Sequence, residues 1–232
     1  MSRAPSPPAD APASDAPASD IPTSLAAPPE AVVFDIGNVL IEWQPERAYA
    51  GMVGAARAQA MFAAVDLHHM NEIVDRGGDF RETVYAAADA VPEFRDEIRM
   101  WHDRWLDVAG PEIPRSVRLL RALRRKGVAV FALSNFGRGS FAVAETAWPF
   151  LTEFDRRYIS GHLGVTKPSA RIYEIVEEDS GIAPERLLFA DDMAYNVDAA
   201  AARGWQVHLF DGPEGWARRL VAAGLLEAEE AR

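Results

Sequence analysis

The sequence predicts an α/β protein in which helices cover both faces of a parallel β-sheet. Short apolar segments bounded by turn residues alternate with amphipathic segments over most of the chain. The apolar segments are nearly continuous rather than alternating, which is typical of strands buried on both faces. The segments between them supply the helical crossovers that parallel strands need. One longer helical stretch, residues 45–112, interrupts this alternation and predicts a small all-helical cap inserted after the first strand.

The first 30 residues differ in composition from the rest. They hold half of the chain's 16 prolines, and Ala11–Asp15 is repeated as Ala16–Asp20. Such a segment has too little apolar surface to offset the entropy of ordering, so we expect residues 1–30 to form a disordered Pro/Ala-rich tail. The tail lacks the apolar centre of a secretory signal, and no apolar run long enough to span a membrane occurs in the chain. We therefore expect a cytoplasmic protein.

The predicted core comprises residues 31–44 and 113–232. The predicted strands are Ala31–Asp35, Val128–Leu133, Arg157–Ser160, Leu187–Asp191 and Gln206–Phe210. The predicted core helices are Pro114–Lys126, Ser140–Phe150, Ala170–Glu178, Asn196–Arg203 and Glu214–Ala223. Gly127 and Gly204 directly follow two of these helices, which is typical of helix C-termini.

The predicted cap, residues 45–112, shows helical periodicity and no convincing strand. Its predicted helices are Arg47–Ala60, Asp66–Asp75, Phe80–Ala90 and Pro92–Val108. In parallel α/β sheets, ligands bind at the carboxyl ends of the strands. A cap over that edge would exclude water and contact the part of a substrate that does not react.

Charge and composition exclude several functional classes. Lys and Arg total 24 and Asp and Glu total 35, which gives a formal net charge of −11. This balance argues against binding to nucleic acids or to anionic membranes, both of which require basic clusters. The chain contains no cysteine, so disulfides, thiolate metal sites and cysteine nucleophiles are excluded. We expect a small-molecule partner.

Polar side chains follow the first two core strands. Asp35 ends the first strand and precedes a Gly-Asn turn, so its carboxylate projects from the carboxyl edge of the sheet. A turn-capping role is an equally plausible interpretation of this residue taken alone. Ser134 and Asn135 follow the second strand and place a hydroxyl and an amide at the same edge.

Two further segments add charges to this edge. Lys167 lies between a turn and the proline that precedes a helix. Asp191 and Asp192 end the fourth strand, where two adjacent carboxylates are unfavourable unless a cation or hydrogen-bond donors compensate them. The alternative interpretation is an acidic cluster at a helix N-terminus. The four segments together predict one convergent site more strongly than any segment does alone.

The set of four resembles the motifs of the haloacid dehalogenase-like superfamily, in order and spacing. The matching residues are Asp35-Ile36-Gly37-Asn38, Ser134, Lys167 and Asp191-Asp192. The resemblance extends from about Ala31 to Phe210 and implies a Rossmann-like core with a helical cap between the first two motifs. Phe34–Leu40, Lys167–Glu174 and Phe189–Val197 look most like the branch typified by bacterial α-glucose-1-phosphate phosphatase.

The resemblance implies an Mg²⁺-dependent phosphatase acting on a small phosphate monoester, with sugar phosphates among the candidates. Asp35 would be the nucleophile, while Ser134, the backbone at Asn135 and Lys167 would hold the phosphoryl group. The implied metal ligands are Asp35, the Gly37 carbonyl and Asp192. Asp191 would either bind the metal directly or accept hydrogen bonds from groups around the metal ligands.

One position departs from most phosphatases of this superfamily, which carry a general-acid Asp two residues after the nucleophile. That position is Gly37. The glucose-1-phosphatase-like branch also has glycine there. Among cap residues, His68, His69 and Glu72 are candidates for the missing proton donor, although an ordinary role on the cap surface is the favoured interpretation of each.

The sequence leaves two alternative functions open. A 2-haloacid dehalogenase would use Asp35 without metal and needs no general acid, but Asp191 and Asp192 would then repel a carboxylate substrate. A non-catalytic binding protein of the same fold would explain Gly37, but not the retention of Asp35, Ser134, Lys167 and Asp192 together.

Overall fold

The computed structural model of the protein describes residues 27–232. Its seven strands are β1 (Ala31–Phe34), β2 (Ile41–Trp43), β3 (Ala109–Glu112), β4 (Ala129–Ser134), β5 (Arg156–Ile159), β6 (Leu187–Asp191) and β7 (Gln206–Leu209). The helices before β4 are α1 (Pro45–Val53), α2 (Ala55–Ala64), α3 (Leu67–Asp75), α4 (Phe80–Ala90), α5 (Arg95–Asp103), α6 (Trp105–Val108) and α7 (Pro114–Arg125). The later helices are α8 (Arg138–Ala147), α9 (Ser160–Leu163), α10 (Ala170–Ser180), α11 (Ala194–Ala201) and α12 (Pro213–Ala222). Short 3₁₀ turns span Pro92–Phe94, Pro149–Thr152 and Pro184–Arg186.

The central sheet has five parallel strands in the order β5-β4-β1-β6-β7. This confirms the predicted fold class, a Rossmann-like parallel sheet flanked by helices. Val32 and Phe34 of β1 pack into one buried cluster, and Ala31 and Val33 pack into another on the opposite face. All four are fully buried, because helices cover both faces and each face needs its own apolar layer.

The strand order reverses between β1 and β6. The chain runs outward from β1 through β4 to β5, and then crosses back to form β6 and β7 on the other side of β1. Such a switch point leaves a crevice at the carboxyl ends of the strands, because the crossovers on its two sides diverge. Asp35 follows β1, and β6 ends at Asp191. The fold therefore places both predicted acidic segments beside this crevice.

The predicted all-helical cap needs a correction at its base. Residues 109–112 form β3, which pairs antiparallel with β2, with Ile41 opposite Glu112 and Trp43 opposite Ala109. Gly110 and Pro111 mask any strand periodicity, and the partner strand lies far away in the sequence. The helical portion therefore ends at Val108, and a two-stranded ribbon connects it to the core.

Two long predicted cap helices are interrupted. Gly54, with φ of +86°, separates α1 from α2 within the segment predicted as Arg47–Ala60. The segment predicted as Pro92–Val108 is a 3₁₀ turn followed by α5 and α6. The cap helices enclose an apolar cluster of their own, and Phe136 and Trp148 pack against both this cluster and the main core.

The predicted tail lies mostly outside the described residues, which begin at Ala27. Its last residues contact the core. The Ala27 carbonyl accepts a hydrogen bond from Gln206 Nε2 at 2.7 Å, and Glu30 N donates to the Arg186 carbonyl at 2.8 Å. Across residues 27–232, no helix combines the length and the apolarity that a membrane crossing requires.

Candidate active site

The four predicted segments meet at the carboxyl edge of the sheet. Asp35, Ser134, Asn135, Lys167 and Asp192 all line one cavity of about 360 Å³ beneath the cap helices. Asp191 lies directly behind them, fully buried. Parallel strands present their carboxyl ends at the same edge, so residues far apart in the chain become neighbours here.

Lys167 stands between two carboxylates. Its Nζ lies 2.9 Å from Asp35 Oδ1 and 2.6 Å from Asp191 Oδ2, and its side chain is 1% exposed. Burial by itself lowers the pKa of Lys167, but the two carboxylates outweigh burial and hold that pKa above the usual value of lysine. Lys167 is therefore a fixed positive charge beside Asp35.

Asp35 is buried and oriented by its neighbours. The backbone N–H of Ile36 donates to Asp35 Oδ1 at 2.7 Å, and the Ser134 hydroxyl also hydrogen-bonds to this carboxylate. Burial raises the pKa of Asp35, Lys167 opposes that rise, and the nearby Asp191 charge adds to it. Binding of a further cation would favour the ionised form, because an opposite charge stabilises a carboxylate.

Both carboxylate oxygens of Asp191 already accept hydrogen bonds. Oδ1 accepts from Met193 N at 2.8 Å and from Asn196 Nδ2 at 3.0 Å, and Oδ2 accepts from Lys167 Nζ. Asn196 is itself buried, and its Oδ1 has no protein partner among the described residues. Asp191 is thus arranged to orient Lys167 and Asn196.

Asp192 is joined to the loop that follows the first strand. Asn38 Nδ2 donates to Asp192 Oδ2 at 2.9 Å, and Asn38 Oδ1 accepts from Trp43 N at 2.9 Å. Asn38 adopts a left-handed backbone with φ of 54°, a conformation that asparagine tolerates better than most residues. The loop is therefore held against Asp192.

Asn135 fixes the segment that carries Lys167. Its Oδ1 accepts a hydrogen bond from Lys167 N at 2.8 Å, and its Nδ2 donates to the Lys167 carbonyl at 3.0 Å. These two bonds fix the orientation of the amide side chain. Asn135 therefore ties the loop that follows β4 to the segment that carries Lys167.

The donor set fits a hard divalent cation. Asp35, Asp191 and Asp192 each offer one carboxylate oxygen, and these atoms lie within 4.8 Å of one another. Three ionised carboxylates and one lysine carry a formal charge of −2, which a divalent cation would balance. Mg²⁺ prefers oxygen ligands of this kind.

Aromatic side chains from the cap helix α6, from β2 and from the loop after β4 form one wall of the cavity. Trp43, Trp105 and Phe136 line it, and the rings of Trp43 and Trp105 lie 5.2 Å apart between centroids. His68 also lines the cavity, although its side chain is 56% exposed. Its Nε2 lies 2.6 Å from Glu46 Oε1. His69 and Glu72, the other candidates for a proton donor, are exposed and lie outside the cavity lining.

Three site residues escaped the sequence analysis as functional candidates: Asn38, Asn196 and Asp75. Asn38 lies within the first motif and Asn196 lies one helical turn after Asp192, so position relative to the motifs could have indicated both. Asp75 lines the cavity from the end of α3, with no sequence signal that marks it.

Comparison with known proteins gives a consistent family assignment. Residues 29–204 match the family model of the haloacid dehalogenase-like hydrolases. The chain is 24% identical over 207 residues to a D-ribitol-5-phosphate phosphatase of Bacteroides thetaiotaomicron, which covers 82% of this chain and 96% of the relative.

Solved structures share the fold. A haloacid dehalogenase-family enzyme of B. thetaiotaomicron, in complex with magnesium and inorganic phosphate, superimposes with a TM-score of 0.56 at 22% identity, over 78% of this chain and 93% of that chain. An L-2-haloacid dehalogenase of Xanthobacter autotrophicus with chloropropionic acid covalently bound superimposes with a TM-score of 0.56 at 19% identity. The match covers 88% of this chain and 86% of that chain. At these identities the likeness demonstrates the fold alone.

Proposed function

The chain belongs to the haloacid dehalogenase-like hydrolases, and we propose that it is an Mg²⁺-dependent phosphatase that hydrolyses a small phosphate monoester through an aspartyl-phosphate. The observation that carries this proposal is the cluster of Asp35, Asp191 and Asp192, whose carboxylate oxygens lie within 4.8 Å of one another beside the buried Lys167. The phosphatase among its relatives and the magnesium and phosphate bound to a structural neighbour support the same class.

Asp35 is the nucleophile in this proposal. A carboxylate oxygen of Asp35 attacks phosphorus opposite the ester oxygen, and water later cleaves the resulting acyl phosphate. Ile36 N and Lys167 Nζ both contact Asp35 Oδ1, so the orientation of the carboxylate is set before substrate binds. Orienting the attacking group in advance removes part of the entropic cost of the reaction.

Positive charge and hydrogen-bond donors hold the transferring group. Ser134, the backbone at Asn135 and Lys167 bind phosphoryl oxygens, and the fixed charge of Lys167 stabilises the negative charge that spreads over them. Asp35, the Gly37 carbonyl and Asp192 hold Mg²⁺, which supplies further charge neutralisation when bound. Asp191 keeps Lys167 in place, because both of its oxygens already accept hydrogen bonds.

Substrates with a small leaving group fit the cavity. A volume of about 360 Å³, shared with the phosphoryl group and lined by Trp43 and Trp105, accommodates a ring or a short chain. Aromatic faces accept the apolar faces of sugar rings as well as hydrocarbon groups. Sugar and sugar-alcohol phosphates, including α-glucose 1-phosphate and D-ribitol 5-phosphate, are therefore the first candidates to test.

A 2-haloacid dehalogenase is the alternative, favoured by Gly37 because halide leaves without protonation. Such a reaction brings a carboxylate substrate to Asp35 without a metal. Asp192 lines the cavity and Asp191 lies behind it, so two further negative charges would face that substrate with Lys167 alone to offset them. The charge arrangement favours the phosphatase. A non-catalytic binding protein is the remaining alternative, and it would share the same site.

Phosphate release from a panel of phosphate monoesters, measured with Mg²⁺ and with EDTA, tests the proposal. We expect Mg²⁺-dependent release that Asp35→Asn abolishes and that Asp198→Asn, an exposed aspartate on α11, preserves. Halide release from 2-chloropropionate that is insensitive to EDTA, without phosphate release, would establish the dehalogenase instead. Absence of both activities would favour the binding protein.

A further inference from the structure

A proton source for the leaving oxygen is missing from the four motif segments. A carboxyl two residues beyond Asp35 could donate this proton, but Gly37 occupies that position. A Cβ added to Gly37 would lie 3.7 Å from Trp43 Cβ, which is an ordinary van der Waals contact. An alkoxide is a poor leaving group, and a positioned general acid typically contributes about 10²–10⁴-fold to its departure. The cavity should therefore contain another acid.

Four titratable side chains outside the motif segments line this cavity within residues 27–232: Glu42, His68, Asp75 and Tyr195. Three of them are turned toward solvent. Glu42 forms an ion pair with Arg47, His68 lies against Glu46, and Tyr195 is 52% exposed. Asp75 is the exception, because it is 9% exposed and lies on the cap side of the cavity.

Hydrogen bonds from its own helix α3 and from the loop that follows β4 hold Asp75 in place. The carboxylate accepts hydrogen bonds from Asn71 Nδ2 at 2.9 Å and from the backbone N–H of Gly137. The Ser160 hydroxyl donates to the Asp75 carbonyl at 2.6 Å and accepts from Phe136 N at 2.9 Å. This loop begins immediately after Ser134, so Asp75 is fixed to the same segment that would bind the phosphoryl group.

The end of α3 and the loop after β4 are in close contact, which leaves little room for either to move. A Cβ on Gly137 would lie 2.3 Å from Val74 Cγ1, so α3 and the loop approach more closely than any other residue type would allow. Arg138 adds a hydrogen bond from Nη2 to the Gly77 carbonyl at 3.0 Å. The end of α3 is therefore docked on the core, and Asp75 has a defined position over the cavity.

We propose that Asp75 is the general acid of the reaction and protonates the leaving-group oxygen from the cap side of the cavity. The inference rests on the proposed phosphatase function and adds the residue that its chemistry requires. Asp75 faces Asp35 and Lys167 across the cavity, and Glu72 is the nearby charged group on its own helix.

Bonds and protons balance over the two half-reactions of this mechanism. The bond from phosphorus to the ester oxygen breaks as the bond from Asp35 to phosphorus forms, and the Asp75 proton passes to the departing oxygen, which leaves as an alcohol. The Asp75 carboxylate then takes a proton from the water whose oxygen attacks phosphorus and breaks the Asp35–phosphorus bond. Inorganic phosphate is released, and both carboxyl groups return to their initial states.

The environment of Asp75 keeps it protonated near neutrality. Burial raises the pKa of Asp75 to about 7; the Gly137 N–H lowers it, the Asp35 and Glu72 charges raise it, and Lys167 lowers it. A general acid is most effective when its pKa lies near the working pH. His68 and Glu72 share neither the burial nor the contact with the loop.

A leaving-group series tests the proposal. Esters of acidic phenols, such as 4-nitrophenyl phosphate, depart without protonation, whereas alkyl phosphates need it. We expect Asp75→Asn to lower kcat/KM about 10²–10⁴-fold for alkyl phosphates and less than about 10-fold for 4-nitrophenyl phosphate. The matched control Asp198→Asn, at an exposed carboxylate on α11, should change neither kcat/KM value.

The wild-type protein provides a second measurement that needs no variant. Its pH profile for alkyl phosphates should lose activity above about pH 7, where Asp75 ionises, and the profile for 4-nitrophenyl phosphate should lack this loss. Asp75→Glu retains a carboxyl group and should recover part of the alkyl activity that Asp75→Asn loses.

The outcomes separate the two proposals. An equal loss on both substrate classes, or identical pH profiles, would show that Asp75 is structural and overturn the inference while the phosphatase stands. No phosphate release by the wild-type protein from any ester would overturn the proposed function, and the assignment of Asp75 would fall with it.

Discussion

At the scale of single residues, one lysine offsets part of the negative charge of the site. Lys167 Nζ lies within 3 Å of both Asp35 and Asp191, and all three side chains are buried or nearly so. Removing the cation leaves two carboxylates without compensation, and losing one partner of a buried ion pair typically costs about 3–5 kcal/mol. In the proposed mechanism, Lys167 therefore affects both the free energy of unfolding and turnover.

We expect Lys167→Met to lower the free energy of unfolding by about 3–5 kcal/mol and to abolish turnover. Chemical denaturation and phosphate release would measure the two effects. The chain's other lysine provides the control, because Lys126 pairs with Glu230 on the surface at 3.1 Å and is 41% exposed. Lys126→Met should lower the free energy of unfolding by no more than about 1 kcal/mol. Equal effects of the two substitutions would contradict the central role of Lys167.

Asp75 makes stability depend on pH. Because burial raises its pKa from 3.8 to about 7, the folded state binds more protons than the unfolded state in that interval. Stability is then lost as pH rises from about 4 to about 7, at up to about 1.4 kcal/mol per pH unit for this one group. Asp75→Asn removes this dependence.

Denaturant unfolding at pH 4, 5.5, 7 and 8 would test this expectation. The variant should gain stability relative to the wild type as pH rises through the interval, by a few kcal/mol in total. Asp198→Asn, on the surface, should give a constant difference. Parallel curves for the wild type and Asp75→Asn would mean that the Asp75 carboxyl ionises in the folded protein as it does in water.

At the scale of elements, the site depends on how closely the short helix α9 approaches the loop after β4. A Cβ on Gly161 would lie 2.6 Å from Arg138 N and 2.8 Å from the Phe136 carbonyl oxygen. Gly161 N also donates to that carbonyl at 3.0 Å. The loop runs from Ser134 to the first turn of α8, so a displacement here would reach the site.

Gly161→Ala should destabilise the fold by about 1–3 kcal/mol, as overpacking generally does, and should also reduce kcat/KM. Gly51→Ala is the matched control, because Gly51 lies in α1 with no heavy atom within 4 Å of the added Cβ. Alanine there should stabilise the helix by up to about 1 kcal/mol. Thermal unfolding and phosphate release would report both effects. An unchanged kcat/KM in Gly161→Ala would show that the loop tolerates displacement.

At the scale of the whole molecule, acidic charge accumulates both overall and at the site. The formal net charge of the chain is −11, and the carboxylates of Asp35, Asp191 and Asp192 lie within 4.8 Å of one another. Repulsion inside this cluster opposes folding, and a bound cation relieves it. Binding to the folded state alone raises the apparent stability by mass action.

We expect Mg²⁺ to raise the thermal unfolding midpoint by several degrees when its concentration is well above the dissociation constant. At a hundredfold excess the gain is about 2.7 kcal/mol, and each kcal/mol corresponds to about 2–4 °C for a chain of this size. Asp192→Asn should diminish the shift, and Asp198→Asn should retain it. An identical shift from NaCl of equal ionic strength would instead indicate screening, which would contradict a specific site.

Local patterns along the chain are sufficient to predict the sheet and the convergence of the four motif segments. Continuous apolar runs such as Ala31–Phe34 and Leu187–Asp191 predict strands buried on both faces, because each face needs its own apolar layer. Polar residues that end those strands must then meet at the carboxyl edge. These inferences succeed because periodicity and strand-end position are local properties that can be read along the chain.

The remaining features depend on contacts between segments that are distant in the chain. β3 forms because β2 pairs with it, and Gly110-Pro111 carries no strand pattern of its own. The saturation of Asp191 by donors and the burial of Asp75 likewise depend on contacts between distant segments; the hydrogen bond from Ser160 to Asp75 spans 85 residues. A carboxyl group acquires its pKa from the solvent it loses and the charges it meets, and only the packed structure determines both.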